Sequence, residues 1–72
     1  MHPFDRTELR SALDAVQRSR WREYPPEDGI TVEWLRRRYQ VAVEIGFIPR
    51  RWIDTYGRRA IDSELQTWAE NL

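Results

Sequence analysis

Seventy-two residues leave room for one hydrophobic core and no second domain, and ordering each residue costs roughly 1.5 kcal/mol, so the chain needs every large side chain it has. With no cysteine, disulfide scaffolds and thiolate metal sites are excluded, and a reducing, cytoplasmic setting fits best. Twelve arginines balance twelve carboxylates, so no net charge steers the molecule toward nucleic acid or anionic lipid; the start lacks a leader pattern and no apolar run approaches the ~18 to 20 residues of a membrane span.

The pattern predicts an all-α fold: residues 1–72 as a single domain of three to four helices, at about 5–23, 32–45, 49–56 and 58–72, in an orthogonal or bundled array. Phe4-Asp5-Arg6-Thr7-Glu8-Leu9 reads as a helix start, with Asp5 and Glu8 as a capping box and Phe4 stapled to Leu9. Leu9, Ala12, Leu13 and Val16 then form one narrow apolar stripe. Tyr24-Pro25-Pro26 is expected to stop this helix near Glu23, because a residue before proline is pushed out of helical geometry.

After the turn at Pro25–Gly29, Thr31 reads as the cap of a second helix, with Ile30 and Leu35 in the staple positions. That helix carries two neighbouring apolar arcs, one of Val32, Leu35, Tyr39, Ala42 and Val43 and one of Trp34, Val41 and Ile45, so it is the central one. Arg38 projects between the arcs, where it can snorkel or meet a carboxylate. Gly46 terminates the helix, Pro49 is expected to open a short third one bearing Trp52, Ile53 and Tyr56, and Gly57 marks its end. Ile61, Leu65, Trp68 and Leu72 repeat as the docking seam of a fourth. No strand pattern, internal repeat or low-complexity tract is present.

Catalytic groups are sparse. His2 is the one histidine, Ser11, Ser19 and Ser63 have no base near them in sequence, the acids follow no metal-ligand spacing, and the glycines form no phosphate loop. The expectation is therefore a non-enzyme without cofactor, metal, membrane association or evident small-molecule substrate.

Two features rise above this background. Trp21 and Tyr24 lie off the apolar stripes and Trp34 lies on the second arc; with Arg20 and Arg37 they make a candidate partner surface, since Trp, Tyr and Arg dominate binding hot spots. The first expectation is a protein-binding module, a regulator or inhibitor that docks on another protein or on a second copy of itself. Residues 31–60 also carry a net charge of +4, and about 38–56 resemble a helix-turn-helix, with Ala42 and Gly46 four apart and Trp52 as the buried residue of the following helix. That resemblance implies, as the alternative, a sequence-specific DNA-binding protein presenting Arg50 and Arg51 to base edges with Arg58 and Arg59 beside them.

Overall fold

The computed structural model describes residues 6–71. Along them run four helices, α1 (Arg6–Gln17), α2 (Val32–Glu44), α3 (Arg51–Tyr56) and α4 (Arg58–Glu70), and no strand occurs among the described residues. The expected Asp5 cap and Phe4 staple, His2, and the last seam residue Leu72 lie outside them.

α1 buries Leu9, Leu13 and Val16, the stripe read from the sequence, but it stops at Gln17 rather than near Glu23. Beyond Val16 the stripe positions are Arg20 and Glu23, so further turns would bury nothing, and helices this short depend on burial. Ser19 closes the helix instead: its hydroxyl donates to the Val16 carbonyl at 2.6 Å, and its backbone N–H donates to the same oxygen at 3.1 Å. The prolines therefore act on a chain that has already left the helix.

Thr31 caps α2 as expected, its Oγ1 accepting from the Trp34 N–H at 3.2 Å. α2 is the central helix, packed on α1 along one side and on α4 along the other, while α3 packs on α4. This arrangement consumes both apolar arcs: Trp34, Leu35, Tyr39, Ala42 and Val43 are buried, and Val41 and Ile45 pack half-buried against the same core. The second arc is satisfied within one chain.

At the end of α2 the backbone turns on itself. Gly46 sits at φ +90°, a conformation that a side chain resists, and the Phe47 and Ile48 N–H groups both donate to the Ala42 carbonyl, at 2.8 and 3.1 Å. Ile48, 1% exposed, plugs the turn. Pro49 stands before α3 rather than inside it; Trp52 and Ile53 donate to the Pro49 and Arg50 carbonyls in a tight lead-in, and regular α-helix covers only six residues. Trp52 is buried as expected and meets Tyr56 edge-on, with ring centroids 5.5 Å apart. Gly57, at φ +83°, separates α3 from α4, whose Ile61 and Leu65 are buried and whose Trp68 packs against the core beneath the Arg10 guanidinium, 5.1 Å from the ring centroid. Among the described residues no helix is long and apolar enough to cross a membrane.

Candidate protein-binding site

The early end of α1 turns residues 18–31 into an irregular connector, and irregular backbone needs partners for its polar groups. Some are local, such as the Ser19 hydroxyl accepting from the Trp21 N–H at 3.0 Å, and two side chains supply others from outside the connector. Gln17 clasps Glu23 on both sides, its Nε2 donating to the Glu23 carbonyl at 2.7 Å and its Oε1 accepting from the Glu23 N–H at 3.2 Å. Arg38 reaches across from α2: one guanidinium nitrogen donates to the Trp21 carbonyl and another to the Glu23 carboxylate, each at 2.6 Å. Arg38 is the one charged residue buried among those described, at 5% exposure, whereas the Glu23 side chain is 42% exposed. The pair thus joins a buried cation to a partly hydrated anion, and the charge-assisted bonds anchor the connector from inside.

Behind the connector lies a recess of about 210 Å³ walled by Leu13, Gln17, Pro25, Trp34, Arg38 and Trp68. The connector is held across this recess by polar clasps at Gln17 and Arg38, and its own aromatic rings point elsewhere. Trp21 is 47% exposed and Tyr24 is 79% exposed, two of the three large hydrophobic side chains left in solvent among the described residues, Phe47 being the third. Arg20 lies over the Trp21 ring at 5.2 Å, a cation–π contact that stiffens its exposed edge. Arg37, on the outer face of α2, comes within 3.9 Å of the Glu23 carboxylate.

Of the five residues proposed from sequence as a partner surface, Trp21, Tyr24, Arg20 and Arg37 are therefore exposed on or beside this connector. Trp34 is not among them. It is 5% exposed and part of the core, because α2 is flanked on both sides and the arc carrying Trp34 faces helix rather than solvent. Arg38 was legible as a residue between two arcs with a carboxylate to find. The Gln17 clasp was not, since nothing in the sequence marks a helical glutamine as the partner of a backbone six residues away.

The arginines of the DNA alternative, Arg50, Arg51, Arg58 and Arg59, are all exposed, and none pairs with a carboxylate among the described residues. Arg6, Arg36, Arg37 and Arg38, by contrast, meet Glu64, Asp62 and Glu23. The helix that would enter a groove is shorter than the motif suggests, about 9 Å along its axis. Among the described residues no three His, Asp or Glu side chains gather where they could hold a metal ion. Comparison of the chain with known protein families, curated proteins and solved structures gives no significant match.

Proposed function

We propose that the chain is a small non-enzymatic binding module of the cytoplasm, a regulator or inhibitor that docks on a protein partner through the connector between α1 and α2. The observation that carries this reading is the display of Trp21 and Tyr24 on backbone tied down by buried Arg38. Exposed aromatic rings on a mobile loop lose much of their contact energy to ordering on binding; rings on a pre-anchored loop do not. Arg20 and Arg37 supply the polar rim that surrounds such an aromatic centre.

The test is affinity capture with the intact protein, followed by binding measurements between purified components. Replacing Trp21 and Tyr24 together by alanine is expected to abolish binding, while Gln66→Ala, on exposed α4 surface, leaves it intact. Equal binding by all three proteins would remove the connector from consideration. Should the captured partner be a second copy of the chain, sedimentation equilibrium of the wild type and the double variant reports it directly.

A second reading, DNA binding, draws on the four arginines that no carboxylate neutralises among the described residues. Its signature is affinity that falls steeply with salt, as phosphate contacts release counterions. Weak or salt-independent association with a mixed duplex pool would dismiss it. The six-residue α3 makes this reading the weaker of the two.

A further inference from the structure

We propose that the N-terminus of α4, together with Arg58, Arg59 and the Tyr39 hydroxyl, binds the phosphate group of a small phosphate monoester. The starting point is a helix whose first turn runs against its own electrostatics. Helix N-termini carry partial positive charge and favour acidic side chains and side-chain caps. α4, thirteen residues long, has neither: its N-cap is Gly57, no side chain accepts from its opening amides, its first turn contains no acid, and it begins with two arginines instead. Backbone N–H groups and two arginines thus share the first turn of α4, and Gly57 offers them no side-chain cap.

An independent observation comes from α2. Tyr39 is 8% exposed, and its hydroxyl is buried without a hydrogen-bond partner. A buried phenol lacking an acceptor carries a desolvation cost with no return, and such groups call for an explanation. Tyr39 lines a recess of about 270 Å³ whose walls also include Arg58, Ile53, Ile61 and Leu65. Burial pushes the Tyr39 phenol above its ordinary value and the charge of Arg58 pulls it back, so the hydroxyl and that guanidinium share one neighbourhood. A second, shallower recess continues past Arg58 to Arg59 and Ser63.

Charge selects the ligand. Asp62 borders both recesses, but its carboxylate is taken up by Arg36, whose Nε and Nη2 donate to its two oxygens, the second at 2.9 Å. What remains is the double positive charge of Arg58 and Arg59, which matches a phosphate monoester, close to a dianion near neutral pH. A phosphate also offers enough oxygens to accept from amides, guanidinium groups and phenol together. Ile53, Ile61 and Leu65 provide an apolar floor for a small ring or chain attached to it. The inward position of the Tyr39 hydroxyl favours a terminal phosphate entering end-on over the phosphodiester of a duplex, which would ride over the rim.

Titration calorimetry with phenyl phosphate and inorganic phosphate, alongside amide chemical shifts of the full chain, tests the site. Phenyl phosphate should saturate and bind about tenfold more tightly than inorganic phosphate because its ring covers the apolar floor. The amide shifts should concentrate at Arg58, Arg59 and Ala60. Arg58→Gln is expected to weaken binding at least about tenfold, and Tyr39→Phe several-fold with unchanged helicity, through loss of charge-assisted hydrogen bonds. Trp21→Ala should bind like the wild type, which separates this site from the connector. The proposal is overturned by absence of saturation, by shifts centred elsewhere, or by both variants binding normally. It is equally overturned if duplex DNA binds in an Arg58-dependent way while phenyl phosphate does not.

Discussion

The two connectors that flank α2 are held by opposite means. The turn from α2 to α3 is closed by backbone: Gly46 takes a positive φ, the Ala42 carbonyl accepts two hydrogen bonds, and Ile48 seals it from inside. The connector from α1 to α2 is longer and is tied by side chains, Gln17 at its edge and Arg38 from beneath, while its rings face solvent. The backbone-closed turn buries its plug, Ile48, and leaves one ring, Phe47, in solvent at 45% exposure. A segment anchored by polar bonds keeps its backbone in place and leaves its apolar side chains free, which is what a recognition loop requires.

The comparison breaks most visibly at Ile48. Ile48→Ala empties the plug and should cost about 2–5 kcal/mol, close to the whole stability of a domain this small, so urea unfolding should shift drastically or the chain should fail to fold. A loss below about 1 kcal/mol would mean that the turn is not sealed from inside. Arg38→Met keeps the bulk but removes both anchors; the expected cost is about 2 kcal/mol, and its mark is local. Trypsin should then cut after Arg18, Arg20 or Arg22 well before the helices melt, whereas unchanged cleavage kinetics would show that the connector does not depend on Arg38.

Gly46→Ala tests the backbone side of the contrast. No atom obstructs an added Cβ, so the penalty is the strain of φ +90° alone, about 1–2 kcal/mol by denaturant midpoint. Gln17→Ala loosens only the edge of the connector, at about 1 kcal/mol, and should raise amide exchange at Glu23 without changing exchange in α3 or α4.

The smallest effect lies outside both connectors, at the exposed Arg36–Asp62 pair joining α2 to α4. Hydrogen bonding from Arg36 holds the Asp62 carboxyl below its ordinary value of 3.8, with burial opposing. A lowered carboxyl supports the fold fully above its ordinary value, and that support fades as pH falls through the lowered one. Asp62→Asn should therefore lower stability slightly at neutral pH and converge on the wild type in acid, below the lowered value, so that the acid limb flattens; superimposable profiles would show that the pair contributes nothing.

Much of the helical framework was legible because its signals are local. The Leu9–Val16 stripe, the Thr31 cap, the two arcs of α2, Gly46 and the Ile61–Leu65 seam each follow from residues within a turn or two of one another. The misplaced end of α1 had a local cause that the proline signal obscured: the stripe had already run out at Val16, and Ser19 was available to close the helix. Of the five candidate residues chosen by type and position, Trp21, Tyr24, Arg20 and Arg37 are exposed and Trp34 is buried. Trp21 lies off the α1 stripe and Trp34 on the second arc of α2, and what decides their exposure is whether a second helix covers that side.

Sequence alone determined that this chain builds helices, where most of them begin and end, that α2 is central, and that catalytic side chains are scarce. Those properties rest on periodicity, capping and composition, which act over a few residues. Only the tertiary structure decided which aromatic rings remain in solvent, that Arg38 spends its charge on a connector seventeen residues back, and that the unfilled Tyr39 hydroxyl lies beside Arg58. Burial and long-range pairing depend on how helices pack around α2, and no local pattern encodes which of two arcs meets α1, which meets α4 and what is left to face water.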